Sequence, residues 1–104
     1  MAKNLNVLAY DLGSSGGKVV RCRYSGERLH LDTIHQFPNR PMRVHGSDFW
    51  DILRIHGGAM HGLRRALSDT PEILSIGFST WGVDYGLLDS SGKLMNLVHS
   101  YRDN

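Results

Sequence analysis

Residues 5–24 read LNVLAYDLGSSGGKVVRCRY, and the order of residue types here decides the architecture. Leu5 to Leu12 form a nearly continuous apolar run with Asp11 near its end, the pattern of a strand covered on both faces of a sheet. Gly13-Ser14-Ser15-Gly16-Gly17 then turns the chain. Beyond it Val20, Cys22 and Tyr24 alternate with Arg21 and Arg23, the period-two signature of a strand with one wet face. On this reading Cys22 faces the core. Ser25-Gly26-Glu27 makes the next turn, and Leu29, Leu31 and Thr33 alternate with His30 and Asp32 as far as Phe37, a third strand. Pro38 and Pro41 end it, because neither can donate to a ladder.

Around Ser47 the period changes. Phe49, Ile52, Leu53, Ala59, Met60, Leu63, Ala66 and Leu67 recur at three and four, which predicts an amphipathic helix over 48–69 capped by Ser47 or Asp48. Gly57-Gly58 is its weak point, and the pair either admits a close neighbour or marks a bend. Pro71 stops the helix. Leu74, Ile76 and Phe78 alternate with Ser75, Gly77 and Ser79 as another strand. The run 85–88 leads into the turn Asp89-Ser90-Ser91-Gly92, and a last strand, 93–98, pairs back. Three strands, a long helix and further strands define an α/β (α+β) mixed sheet with a helix packed on it. The closing "HSYRDN" is neither a helix end nor a floppy tail, and it reads as an interior stretch of a longer domain.

The chain has 104 residues, 40% of them hydrophobic, which suits one modest domain. Its 12 Lys and Arg against 10 Asp and Glu give a formal charge of +2. These charges are scattered and form no track for nucleic acid or an anionic membrane. One cysteine excludes an internal disulfide, and no apolar run approaches the roughly 20 residues that span a bilayer. No leader pattern is seen, so a reducing cytosol is the expected setting. The six histidines do not fall at zinc-site spacings apart from the loose pair His56 and His61, and are read as surface or packing residues.

Two stretches carry chemistry. In the glycine turn, several N–H groups can converge on one concavity if the glycines adopt angles closed to other residues. Ser14 and Ser15 add hydroxyls and Lys18 a positive charge. Asp11 stands where it could hold a hydrated Mg²⁺ against bound oxygens. The combination suits a polyphosphate; the plain alternative is a hairpin connection, and the Walker pattern is absent. The second stretch, STWGVDYGLLD (79–89), offers an aromatic wall in Trp81, close approach at Gly82 and a carboxylate in Asp84, the ingredients of a sugar site. The plain alternative makes Trp81 core and Asp84 a turn former.

Taken in order and spacing, YDLGSSGGKV, STWGVDYGLLD and SYRD resemble the N-terminal part of the FGGY carbohydrate kinases, on the rhamnulokinase branch. The resemblance implies a ribonuclease-H-like domain of the actin, Hsp70 and hexokinase superfamily, with residues 1–104 forming the first part of domain I and domain II lying outside them. It implies ATP and Mg²⁺ as cofactors and a ketose such as L-rhamnulose as substrate. By resemblance, Asp11 acts on the metal, and Gly13, Ser14, Ser15, Gly16, Gly17 and Lys18 meet the ATP phosphates. Trp81, Gly82, Asp84 and Arg102 line or support the sugar pocket. The family's catalytic aspartate is expected beyond residue 104, and none is identifiable within the chain. Where the branch reads Ser-Ser-Gly-Arg, this chain has Ser15-Gly16-Gly17-Lys18, losing a hydroxyl and exchanging a forked guanidinium for a point charge.

Taken alone, residues 1–104 are expected to be inactive and to self-associate through unsatisfied sheet edges. Two other classes share the architecture or the residues. A ribonuclease-H-like nuclease would use Asp11 and Asp84 to hold two metals. A binding remnant would hold sugar or nucleotide without turnover.

Overall fold

The computed structural model describes residues 4–70 and 72–103. Strands β1 (Leu5–Leu12), β2 (Gly16–Tyr24) and β3 (Leu29–Pro38) form the expected antiparallel meander. Strands β4 (Met42–Val44) and β5 (Ser47–Trp50), helix α1 (Ile52–Asp69), and strands β6 (Ser75–Thr80) and β7 (Val98–His99) follow. The main sheet has the order β3-β2-β1-β6, with β6 parallel to β1. A second sheet, β4-β5-β7, is antiparallel throughout. The fold is thus α/β, with a mixed sheet and one helix. Pro71, the expected helix stop, lies outside the described residues.

The helix starts later than its periodicity predicts. His45 and Gly46 both take left-handed backbone angles, φ 50° and 81°, and these two positive angles suit a tight hairpin turn between β4 and β5. Residues 47–50 are therefore strand, and Asp51 is the cap, its side chain accepting from the Arg54 amide at 3.1 Å. The closing strand differs as well. Leu88 and Leu94 share only an isolated bridge around the Asp89 turn, while Val98 and His99 pair with β5. Hydrogen bonds from the Lys93 amide, the Ser91 hydroxyl and nearby turn amides hold the exposed Asp89 carboxyl below its usual range.

The core lies between α1 and one face of the meander. Leu8, Tyr10, Val19, Ile34 and Ala66 are buried there, with Ala59 and Leu63 packed against them. Strand β2 thus presents Val19 to the helix, and Val20, Cys22 and Tyr24 alternate onto the opposite face. Cys22 is only half-buried, so it is not the core residue its alternation implied. Tyr10 donates its hydroxyl to the Ala59 carbonyl at 2.8 Å, and burial pushes its pKa above the usual tyrosine value. His35 meets His61 across the strand–helix seam, with ring centroids 4.5 Å apart. Burial, then His61 and Arg65, hold the His35 imidazole below the usual histidine value.

The Gly57-Gly58 pair proves to be a close approach, since α1 runs unbroken through it. A Cβ on Gly58 would meet the Phe37 ring, and one on Gly62 would run into Val19. Nothing lies within 4 Å of the corresponding point at Gly57. Gly57→Ala should therefore stabilise the fold by roughly 0.5–1 kcal/mol through helix propensity, whereas Gly58→Ala should cost on the order of 1–3 kcal/mol through overpacking. Thermal melts of the two variants check the opposite signs.

The molecule is long, 58 × 29 × 23 Å, with a radius of gyration of 16.4 Å. About 13 Å is usual for a compact domain of this size. All six residues of β6 are exposed, including Ile76 and Phe78. That strand is an open sheet edge. Among the described residues, no helix is long and apolar enough to cross a membrane.

Candidate functional site

Strands β1 and β6 run parallel and in register, with Asp11 opposite Ser79 and Leu12 opposite Thr80. Their carboxyl ends therefore stop at one edge of the sheet, the edge where α/β folds commonly gather ligands. The Trp81 amide donates to the Leu12 carbonyl at 3.2 Å, which ties the start of one chemical stretch to the other.

On the β1 side, an open cavity of about 570 Å³ is lined by Asp11, Gly13, Ser15, Gly16, Gly17 and Lys18, together with the end of β3. Asp11 and Lys18 are register partners and both are exposed. One reachable carboxylate beside an open cavity fits a hydrated Mg²⁺ held chiefly by phosphate oxygens.

The glycines act differently from expectation. Positive φ occurs only at Gly26, Gly46 and Gly92 among the described glycines, so Gly13, Gly16 and Gly17 do not supply left-handed backbone. They supply space. A Cβ on Gly13 would lie 3.2 Å from the Gly16 carbonyl oxygen, one on Gly16 would lie 3.2 Å from that of Phe37, and one on Gly17 would strike the Phe37 ring. Ser14 does not line the cavity; its hydroxyl accepts from Arg102 Nη2 at 3.2 Å.

On the β6 side, Asp84 Oδ2 accepts from two indoles, Trp81 Nε1 at 2.6 Å and Trp50 Nε1 at 2.7 Å. Both contacts lie at the short end of the N–H···O range. The rings pack with centroids 4.8 Å apart. Trp81 and Asp84 border a mainly apolar cavity of about 360 Å³, and Asp84 also borders a neighbouring one of about 600 Å³. Gly82 lies on the exposed turn between them with open space beside it. Val83 follows with φ 67°, a left-handed angle that a β-branched residue adopts only under strain, at a cost of roughly 1–2 kcal/mol. Arg102 borders none of these cavities; it sits over the Tyr101 ring at 5.1 Å while its guanidinium reaches Ser14 in the glycine turn.

Nearly the whole chain is similar in sequence to known proteins. The rhamnulokinase of Mannheimia succiniciproducens is 39% identical over 101 residues, 95% of this chain and 21% of that protein. The rhamnulokinase of Klebsiella pneumoniae is 45% identical over 98 residues, 92% of this chain and 20% of that protein. The chain is homologous to rhamnulokinases. It spans about a fifth of the length of these relatives. No family model matches it.

Two residues of the candidate site were not visible in the sequence patterns. Trp50, 1% exposed, reaches Asp84 across 34 positions of chain. Asn39, 4% exposed, donates its side-chain amide to the Gly13 carbonyl at 3.0 Å and its backbone N–H to the Ser15 carbonyl at 3.3 Å. A lone asparagine between two prolines reads as loop, and a tryptophan three residues after Ser47 reads as the first turn of a helix. Neither belongs to a local motif.

Proposed function

We propose that this chain forms the first part of domain I of an ATP-dependent sugar kinase, and that the complete enzyme transfers the γ-phosphoryl group of ATP to a ketose such as L-rhamnulose, at O1. The observation that carries the reading is the in-register β1–β6 pair, which sets the Asp11–Lys18 turn and the Trp81–Asp84 wall side by side. Phosphoryl transfer depends mainly on positioning and on neutralising charge. Lys18 and the amides of the turn take phosphate oxygens, and Asp11 orients the divalent ion. That ion, when bound, offsets negative charge on the phosphate oxygens. Trp81 lies against the C–H face of the sugar, Gly82 lets it approach, and Asp84 accepts from a hydroxyl.

In the balanced reaction the ketose oxygen bonds to phosphorus as the bridge to ADP breaks. The hydroxyl proton passes to a general base in the remainder of the enzyme. A reducing cytosol suits such chemistry.

The test is an assay of the complete protein with MgATP against L-rhamnulose and a panel of other ketoses, following ADP and the sugar phosphate together. Stoichiometric ADP and 1-phosphate from one or a few ketoses is the expected result. Sugar and nucleotide binding without turnover would leave a binding remnant instead, and cleavage of labelled RNA or DNA with Mn²⁺ would favour a nuclease.

A further inference from the structure

We infer that Asn39 is the positioning residue of the nucleotide turn, an inference that rests on reading residues 13–18 as the phosphate seat. Asn39 grips both sides of Ser14. Its Nδ2 donates to the carbonyl of Gly13 and its own backbone N–H to the carbonyl of Ser15. A trans peptide unit is planar, with its C=O and the next N–H pointing opposite ways. Drawing the Gly13 and Ser15 carbonyls toward Asn39 therefore turns the Ser14 and Gly16 amides away from it. Neither Gly13 nor Gly16 has an unusual φ to impose this arrangement. The clamp from β3 does so.

The side chain's own account points the same way. Asn39 Oδ1 is buried without a partner. A buried acceptor left unpaired is costly, and the reversed amide would set that oxygen against the Gly13 carbonyl, acceptor to acceptor. The position thus calls for a donor. Aspartate would be repelled there, and leucine would leave the carbonyl bare. Asn39 follows Pro38, the residue paired with Gly16, so the clamp sits where the meander meets the turn.

The experiment compares Asn39→Ser and Asn39→Asp with Lys18→Ala in the complete kinase, reading KM for MgATP, KM for sugar, ADP affinity by calorimetry and thermal midpoint. The serine variant keeps the backbone bond to Ser15 and shortens the side-chain reach. Loss of the amide should raise the MgATP KM and weaken ADP by roughly tenfold or more, with the sugar KM within about twofold. Asn39→Asp should exceed Asn39→Ser. Parallel changes in both substrates' constants, or a lowered midpoint with an unchanged MgATP KM, would overturn the inference. If Asn39→Asp does not fold, Asn39→Ser decides by the same ratio. Lys18→Ala separates the layers: if it weakens nucleotide while the Asn39 variants do not, only the role of Asn39 falls. If all three leave nucleotide constants untouched, the seat itself falls.

Discussion

In the proposed kinase, Asp11→Asn should lower kcat by roughly 10²–10³-fold or more, the scale seen when one preorganised transition-state contact is removed from a reacting centre. The affinity for sugar should stay within about twofold, because binding that does not touch the metal is not engaged by the substitution. The replacement keeps the volume of the side chain. Asp11 is exposed and held in β1 by backbone pairing with Lys18 on one side and Ser79 on the other, so the sheet should survive. What is lost is one negative charge at the mouth of the 570 Å³ cavity. Steady-state kinetics with sugar calorimetry checks it. Loss of sugar binding with turnover intact would remove Asp11 from the phosphate side.

The second large effect concerns Trp50. Truncation to alanine deletes a ring that is 1% exposed and packed between Trp81 and Tyr101, and should cost on the order of 3–5 kcal/mol of stability. Trp50→Phe is the more informative change. It keeps most of the ring and removes the N–H that meets Asp84, so about 1–3 kcal/mol is expected from the weakened polar contact. In the proposed kinase, sugar KM should rise about tenfold while MgATP KM stays unchanged, since Asp84 is then held by the Trp81 N–H alone. Combined with Asp84→Asn, the losses should be less than additive, as residues sharing one contact couple. Additive losses would mean that Trp50 serves packing alone.

How much of this was legible in the chain depends on how local each cause is. The meander, strand β6 and both chemical stretches follow from alternation and turn residues within ten positions of one another. The β4–β5 hairpin did not follow, because Phe49 and Trp50 fall in helical phase with Ile52 and Leu53. The decisive signal was the left-handed pair His45-Gly46, and histidine is not a usual hairpin residue. The facing of β2 was read one residue out. Val19 and Val20 are adjacent valines, and only the packing of Gly62 of α1 against Val19 shows which one enters the core. The glycines of the turn were expected for their backbone freedom and are needed for their lack of a side chain, a distinction that depends on where Phe37 lies. Asn39 and Trp50 belong to the same class, for their partners sit 26 and 34 residues away.

The parallel register of β1 and β6 has a mechanical implication. Two turns rooted on neighbouring strands and stitched by the Trp81–Leu12 bond cannot slide past each other without breaking the ladder. Groups seated on them are held at a fixed gauge, like jaws cut from one block. In the proposed kinase, any tightening of the grip must come from groups outside these two turns or from the ligand bending to meet them.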